Sequence, residues 1–160
     1  MLVVENGKGV TGYKVGPDGC LASTGKVIVN KRNVNHGLVL SPDGKTLYAS
    51  SATTVWSWPY DSATLTIGEQ TTVVTGMDSR GHVTRTLVIP PKYPNLLIVS
   101  HGSNDNFDFP SGNIQVGRSC VKVFNTSKTP SAGYKYPTEG YQMGYGLRNE
   151  VGLAFDANGM

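Results

Sequence analysis

A short segment recurs three times along the chain, and this repetition limits the folds that the sequence can adopt. Met1–Gly7 aligns with Thr46–Ala52 and again with Leu96–Gly102, so the copies start at residues 1, 46 and 96. Each copy belongs to a group of about four short β-like runs. A period of about 45 residues with four strands per repeat is typical of the blades of a β-propeller.

The runs between the turns have the composition of β-strands. They are rich in Val, Leu, Ile, Thr, Tyr and Trp, and 20 glycines and nine prolines punctuate the chain. No stretch keeps the 3.6-residue apolar period of an amphipathic helix, so the sequence predicts an all-β protein. The predicted strands lie near residues 2–5, 9–14, 26–30, 37–41, 46–51, 54–60, 71–75, 85–89, 96–100, 114–116, 121–125 and 151–156.

A second repeated element pairs His36–Gly44 with Val151–Gly159. In each copy a predicted strand enters a turn that ends on Gly after Asp or Asn, residue types that reach positive φ at low energy. Placed on this repeat, residue 1 and residue 160 both fall inside a blade. We therefore expect residues 1–160 to be an incomplete propeller domain of about three blades, truncated mid-blade at both ends, whereas closed propellers have about four to eight blades.

The charge and the apolar content exclude several classes of partner. The net charge of +3 is scattered without a basic stripe, so no nucleic-acid partner is expected. No apolar run approaches the 18 or so residues of a membrane helix, so no membrane partner is expected. Cys20 and Cys120 form no CxxC pair and are either one disulfide or two unrelated buried thiols. The triplet Asn125-Thr126-Ser127 allows glycosylation.

Five motifs follow one another and together span nearly the whole chain. They are Val34–Leu38, Ser41–Ser50, Gly81–Thr86, Gly102–Asp108 and Gly144–Gly152. The Ser-Pro-Asp-Gly turn in the second occurs in many propellers, whereas the Gly-His-Xaa-Thr-Arg-Thr, Gly-Ser-Asn-Xaa-Asn-Xaa-Asp and Leu-Arg-Asn elements are more specific. In these motifs the sequence resembles the fungal pyrroloquinoline quinone (PQQ)-dependent pyranose dehydrogenase and L-sorbosone dehydrogenase-like family.

The resemblance implies a six-bladed propeller with PQQ over its central axis, and an enzyme that oxidises sugar hydroxyls with this cofactor. It also implies a sugar substrate, transfer of electrons to a haem domain or another one-electron acceptor, and an extracellular location. Enzymes of this type use Ca²⁺ to polarise the quinone. The sequence shows no calcium loop and names no metal ligand, so the metal is expected only for a full-length parent, and the fragment is expected to be inactive.

His82 is the predicted general base, because an imidazole titrates near neutral pH and can remove a hydroxyl proton. It precedes a predicted strand, where loops of a propeller converge on the axis. Arg148 and Asn149 match the Arg-Asn pair with which the family contacts the cofactor. A guanidinium suits a tricarboxylate such as PQQ, and Arg85 is predicted to bind a second carboxylate or the quinone oxygens.

The segment Gly102–Asp108 supplies further candidate ligands. Asn104, Asn106 and Asp108 are predicted to hydrogen-bond the quinone or to orient His82, although Asn and Asp also favour plain turns. His36 enters its own strand at a similar place and is a candidate for cofactor binding or for a bond to a neighbouring blade.

Two other functions fit an all-β propeller. A calcium-dependent lactonase-like hydrolase needs inward carboxylates and amides, for which Glu5, Asn6 and Asp108 are the available side chains. A non-catalytic binding propeller needs an exposed aromatic face. Trp56, Trp58 and Tyr60 lie on one face of a predicted strand and serve either that role or blade-to-blade packing.

Overall fold

The computed structural model describes residues 1–159, which form thirteen β-strands and three short 3₁₀ helices and contain no α-helix. The strands are β1 (Leu2–Glu5), β2 (Gly9–Gly12), β3 (Lys26–Val29), β4 (Val34–Leu40), β5 (Thr46–Ser51), β6 (Val55–Asp61), β7 (Thr66–Ile67), β8 (Thr71–Thr75), β9 (Leu87–Val88), β10 (Leu96–His101), β11 (Cys120–Asn125), β12 (Tyr134–Lys135) and β13 (Tyr141–Tyr145). The 3₁₀ helices are Phe109–Gly112, Ile114–Val116 and Thr126–Lys128. Within this part of the chain, no helix is long and apolar enough to cross a membrane.

The strands form three sheets in chain order. The first has the order β1-β2-β3, the second β12-β8-β6-β5-β4 with β7 beside β6, and the third β13-β11-β10-β9. The second and third sheets each contain a four-stranded antiparallel unit, β4-β5-β6-β8 and β9-β10-β11-β13. Four-stranded sheets repeated in this way are propeller blades, so the chain is a partial β-propeller, as the repeats predict.

The sheets pack face to face through alternating side chains of their strands. Trp56, Trp58 and Tyr60 share one face of β6, where all three are buried and cluster with Val10 and Val29 of the first sheet. This aromatic face is therefore a contact between blades and not an exposed binding surface. At about 25 cal/mol per Å² of apolar area, three buried aromatic rings stabilise this contact by several kcal/mol.

A second core lies between the second and third sheets. Val55, on the opposite face of β6 from the tryptophans, packs here with Leu87, Leu97, Phe124 and Tyr136. Tyr136 is fully buried, and its hydroxyl donates to the carbonyls of Val99 and Cys120 at 3.0 Å. This second core also supports the candidate site described below. It contains residues of β9, β10 and β11, and the start of β9, the end of β10 and the start of β11 lie next to that site.

The predicted strand at residues 114–116 is wrong. Ile114–Val116 forms a 3₁₀ helix, although Ile and Val favour strands. The side chain of Asn113 accepts a hydrogen bond from the N–H of Gln115, and Gly117 ends the turn in the left-handed conformation at φ 69°. Side-chain capping therefore overrides the propensity of two β-branched residues.

The predicted strand at residues 151–156 is also wrong, although the turn that follows it is present. Gly159 N–H donates to the Asp156 carbonyl at 2.9 Å, just as Gly44 N–H donates to Ser41 at 2.8 Å. In the first copy of this element, β4 pairs with β5. No strand of residues 1–159 pairs with 151–156, so the second copy has no ladder that would hold it extended.

Two further local features complete the fold. β13 was not predicted, because Tyr141–Tyr145 is interrupted by a glycine and is largely exposed. Cys20 is exposed and Cys120 is buried, and both are free thiols. The cysteines are therefore unrelated thiols, but the expectation that both are buried is wrong for Cys20, which follows an exposed turn.

Candidate active site

Three loops meet at one edge of the third sheet. Residues 81–86 lead into β9, residues 102–119 join β10 to β11, and residues 146–150 follow β13. Because β9, β10, β11 and β13 are antiparallel neighbours, the start of β9, the end of β10 and the end of β13 fall at the same edge. The sequence motifs that hold His82 and Arg148 are therefore brought together by the topology.

Ser103 joins the His82 loop to the Arg148 loop through main-chain hydrogen bonds. The N–H of His82 donates to the Ser103 carbonyl at 2.9 Å, and the N–H of Ser103 donates to the Arg148 carbonyl at 2.8 Å. His82 and Arg148 are thus both bonded to the main chain of Ser103 and lie on the same rim of the blade. Of these two side chains, Arg148 lines the cavity described below, whereas His82 does not.

Two glycines allow this close approach. A Cβ on Gly81 would lie 2.1 Å from the carbonyl carbon and oxygen of Asn104, and Gly81 also has φ +66°. A Cβ on Gly102 would lie 2.8 Å from both the Arg148 carbonyl oxygen and the His82 Cβ. Both contacts are shorter than side chains tolerate, so only glycine lets the three loops pack together.

The hydrogen bonds of Ser103 also fix the tautomer of His82. The Nδ1 atom of His82 lies 3.0 Å from both the carbonyl oxygen and the Oγ of Ser103. The Ser103 hydroxyl donates its proton to the Asp105 carbonyl at 2.7 Å, so both Ser103 atoms accept from Nδ1. Nδ1 therefore carries the hydrogen, and Nε2 presents a lone pair that bonds to no group among residues 1–159.

A cavity of about 290 Å³ opens between the last two loops. It is lined by Ser103, Asp105, Asn106, Asp108, Ser111, Gly112, Ser119, Tyr145, Gly146 and Arg148. Arg148 is exposed, donates from its guanidinium to Asn106 Oδ1, and has no carboxylate partner among the residues that the structure describes. Its charge is therefore available to an anionic ligand.

Comparison with known proteins gives the family. The family model described as TrAA12-like matches residues 1–160. The chain belongs to the TrAA12-like family. It is 41% identical over 160 residues to a PQQ-dependent pyranose dehydrogenase of Coprinopsis cinerea, covering 99% of this chain and 22% of that protein. The chain therefore spans about a fifth of that relative.

Two solved structures have the same architecture as this TrAA12-like chain. The holo form of the pyranose dehydrogenase PQQ domain from C. cinerea matches with a TM-score of 0.95 and 41% identity over 99% of this chain and 39% of that domain. A calcium structure of the Trichoderma reesei enzyme of carbohydrate-active family AA12 matches with a TM-score of 0.87 and 34% identity, over 94% of this chain and 39% of that one.

Asp108 and Asn104 of the TrAA12-like chain do not orient His82. The carboxylate of Asp108 forms a two-pronged pair with Arg118, at 2.8 Å from both Nε and Nη2, which holds the pKa of Asp108 below its usual value. Asn104 donates from Nδ2 to Asp78 at 2.6 Å and from its main chain to Asp108 at 2.8 Å. These bonds hold the loop that forms one wall of the cavity, while Ser103 orients the imidazole.

Asp78 completes this network below the cavity. Burial opposes its ionisation, but hydrogen bonds from Asn104 and Arg80 dominate and lower its pKa to about 2. Arg118 Nη1 lies 3.5 Å from the same carboxylate. The wall loop is therefore tied by charged hydrogen bonds that stay intact at neutral pH.

Arg85 has a structural role instead of the predicted role in cofactor binding. The residue is fully buried, and its guanidinium donates to four main-chain carbonyls: Ala52 at 2.8 Å, His82 at 2.6 Å, Thr84 at 2.9 Å and Asp78 at 2.5 Å. Burial lowers its pKa to about 10. The Arg85 guanidinium does not line the cavity and is fully occupied by these carbonyls, so it is not available to a ligand.

The remaining candidates, His36 and Asn149, lie beside the cavity without lining it. His36 Nε2 is 3.5 Å from the hydroxyl of Thr86, which itself donates to the Glu150 carbonyl at 3.0 Å. Asn149 is exposed, and its Oδ1 accepts from the Thr84 hydroxyl at 3.1 Å. Both side chains tie the His82 loop to its neighbours, and their predicted contact with a cofactor stays a prediction.

No role in the site was assigned to His101, Ser103 or Arg118 from the sequence. Ser103 lies inside the Gly102–Asp108 motif, so its proximity to the candidate base could have been noticed. His101 follows an apolar run, which signals burial, and Arg118 follows Gly117 in a polar turn. Nothing in the local sequence indicates that Arg118 pairs with an aspartate ten residues earlier.

His101 is a buried neutral histidine at the end of β10. Its Nδ1 donates to the Gly117 carbonyl at 2.8 Å, and its Nε2 accepts from the N–H of Asp78 at 3.3 Å. Burial and the charge of Arg85 lower its pKa to about 3, and the neighbouring Asp78 opposes this only in part. The imidazole thereby connects the loop that contains Asp78 to Gly117, near the end of the loop that joins β10 to β11.

This lowered pKa predicts that the chain loses stability in mild acid. The contribution of His101 is fully present above the unfolded pKa of about 6.5 and is lost as pH falls towards 3, because the unfolded chain binds the proton first. We expect the contribution of His101 to the free energy of unfolding to fall by about 2 kcal/mol between pH 7 and pH 5. Asp78, with a pKa of about 2, loses its contribution only below this window.

Urea unfolding followed by the fluorescence of Trp56 and Trp58 measures this effect. The His101→Gln variant is expected to show a flatter dependence on pH over the same range. Burial raises the pKa of Glu150 and so acts in the opposite direction, but it does so equally in both proteins and cancels in the comparison. Equal slopes for the two proteins would show that His101 titrates normally.

The residues present fit a carboxylated ligand better than they fit a metal ion. Arg148 offers an unpaired guanidinium at the cavity, whereas no group of three or more His, Cys, Asp or Glu side chains within residues 1–159 could hold a metal. Of the oxygens that a lactonase would need, Glu5 is paired with Lys8 in the first sheet and Asp108 is paired with Arg118. Within residues 1–159, these side chains therefore do not form the carboxylate cluster that a lactonase would need.

Proposed function

We propose that this chain is part of a PQQ-dependent dehydrogenase that oxidises a hydroxyl group of a sugar. The observation that carries the proposal is that Ser103 joins His82 and Arg148 on one rim, with an uncompensated guanidinium on one side and a free imidazole lone pair on the other. The similarity to the C. cinerea PQQ-dependent pyranose dehydrogenase over 99% of the chain supports it.

Arg148 is proposed to bind a carboxylate of PQQ. Its guanidinium can form a two-pronged charged hydrogen bond, and its present partner, the side-chain oxygen of Asn106, is a neutral acceptor that a carboxylate would outcompete. Asn106 would then be free to bond the cofactor with its amide. The Ser119 and Gly146 segments close the cavity from the third sheet.

His82 is proposed as the general base. Its Nε2 would accept the proton of the substrate hydroxyl while Nδ1–H remains bonded to Ser103, which also stabilises the imidazolium that forms. When bound, PQQ supplies the acceptor for the hydride that leaves the carbinol carbon. The C–H and O–H bonds of the alcohol break, and the carbon becomes a carbonyl.

The metal, the electron acceptor and the location are proposed for the whole protein only. The T. reesei relative has a calcium structure, and residues 1–159 contain no group of three or more His, Cys, Asp or Glu side chains that could hold a metal. We therefore propose Ca²⁺ as a cofactor of the whole protein and name no ligand for it in this chain. A haem domain or another one-electron acceptor is proposed to reoxidise the cofactor outside the cell.

A chimera tests the function directly. Residues 1–160 would replace the matched segment of the C. cinerea PQQ domain, which shares 41% identity and the same backbone. The chimera, loaded with PQQ and Ca²⁺, is expected to reduce an electron-accepting dye when a pyranose is added. A folded chimera that binds PQQ but oxidises no sugar from a panel of aldoses and ketoses would contradict the proposal.

Replacing Arg148 is expected to weaken cofactor binding selectively. A hydrogen bond between charged groups contributes about 1.5–3 kcal/mol, so Arg148→Met should raise the Kd for PQQ in the chimera by about 10–100-fold. Fluorescence quenching during a titration with PQQ measures this change. Arg32→Met serves as the control, because Arg32 is also an exposed arginine, lies outside the cavity lining and forms no ion pair within the described residues. An equal effect of both changes would show that only net charge matters.

A further inference from the structure

The only Asn-Xaa-Ser/Thr triplet in the sequence, Asn125-Thr126-Ser127, has no part in the pocket. Asn125 is the last residue of β11, and the first residue of that strand, Cys120, follows the cavity-lining Ser119. A six-residue strand spans about 17 Å. The triplet therefore lies at the edge of the third sheet opposite to the cavity.

The fold uses only the oxygen of the Asn125 side chain. Oδ1 accepts hydrogen bonds from the N–H of Ser127 at 3.0 Å and from Nδ2 of Asn95 at 3.5 Å. The Asn125 Nδ2 bonds to nothing among residues 1–159, and the residue is only half-buried. A substituent on Nδ2 would leave both hydrogen bonds of Oδ1 in place.

The hydroxyl group that the triplet requires is also unengaged. Ser127 is exposed, and its Oγ makes no hydrogen bond within the described part of the chain. Thr126 at the middle position instead donates its hydroxyl to the Asn95 carbonyl at 3.0 Å. The turn thus leaves the Asn125 amide nitrogen and the Ser127 hydroxyl unbonded, while Thr126 anchors the turn to Asn95.

We propose that Asn125 is an N-glycosylation site when the chain enters the secretory pathway. A lipid diphosphate-linked oligosaccharide is the donor. The bond between its first sugar carbon and the diphosphate oxygen breaks, a bond from that carbon to Asn125 Nδ2 forms, and Nδ2 loses one proton, with no change of oxidation state. The glycan projects from the sheet edge opposite to the pocket and leaves the cavity open.

Translation of the chain, fused to a secretion leader, in the presence of microsomes tests this site. We expect the imported chain to gain one oligosaccharide, which a peptide amidase removes while converting Asn125 to aspartate, as peptide mass spectrometry can show. Asn125→Gln and Ser127→Ala should abolish the modification, whereas Ser127→Thr and Thr126→Ala, which keep the triplet, should retain it.

Protease protection identifies the imported chain, so import and modification are scored separately. An imported wild-type chain without a glycan would overturn the proposal. The unfolding midpoint of the purified glycosylated chain should equal that of the unmodified chain made without microsomes, in which Asn125 is intact. A large decrease on glycosylation would overturn the inference that Nδ2 is free and that the folded protein accommodates the glycan.

Discussion

Replacing His82 by glutamine in the chimera is expected to lower kcat for sugar oxidation by about 10²–10⁴-fold, the usual contribution of a general base. Glutamine keeps a side-chain N–H that can bond to Ser103, but its remaining atoms cannot accept a proton at neutral pH. The Kd for PQQ should change by less than about threefold, since Arg148 remains. Steady-state dye reduction and a PQQ titration on the same preparation separate the two effects.

The matched control for this change is Ser103→Ala. It removes the Oγ acceptor but keeps the Ser103 carbonyl, which by itself holds Nδ1–H in place. The loss of activity should therefore be much smaller than for His82→Gln. A His82→Gln variant that keeps most of its kcat would refute the assignment of the base, and one that loses PQQ would show that His82 binds the cofactor instead.

Replacing Arg85 by methionine is expected to destabilise the chain by about 3–5 kcal/mol, because four buried carbonyls lose their donor. That loss is a large fraction of the total stability of a domain, which is about 5–15 kcal/mol. The stability of Arg85→Lys should lie between those of the wild type and Arg85→Met, because an ammonium group cannot reach all four carbonyls that the planar guanidinium reaches. Urea unfolding measures all three proteins.

Arg148→Met is the control for this stability effect. Arg148 is exposed, so its replacement should change the free energy of unfolding by no more than about 0.5 kcal/mol. Replacing Arg85 is thus expected to lower stability, whereas replacing Arg148 is expected to weaken PQQ binding. If Arg85→Met left the free energy of unfolding unchanged, the four hydrogen bonds that the Arg85 guanidinium donates would not exist in solution.

The fold was largely predictable because its signals are repeated and local. The recurrence of one segment at residues 1, 46 and 96 predicted the blades. The alternation of Trp56, Trp58 and Tyr60 predicted that they share one face, and the structure shows that this face is buried. The failures have non-local causes. Residues 151–156 have the sequence of a strand but no partner, and residues 114–116 are held by the capping side chain of Asn113.

The proximity of the candidate site residues was predictable, whereas most of their hydrogen bonds were not. His82 and Arg148 precede or follow strands that antiparallel pairing brings to one edge, so their proximity follows from the topology. The role of Arg85 depends on the carbonyl of Ala52, 33 residues earlier, which no local pattern encodes. The same holds for Arg118, which takes the carboxylate of Asp108 away from the imidazole.

A crystal structure of the chimera with PQQ bound would decide whether the rim of the third sheet is the cofactor site. We expect a carboxylate of PQQ within about 3.2 Å of the Arg148 guanidinium, and His82 Nε2 facing the quinone with Nδ1 still bonded to Ser103. PQQ bound elsewhere in the propeller, with Arg148 paired to a protein carboxylate, would contradict the proposed function.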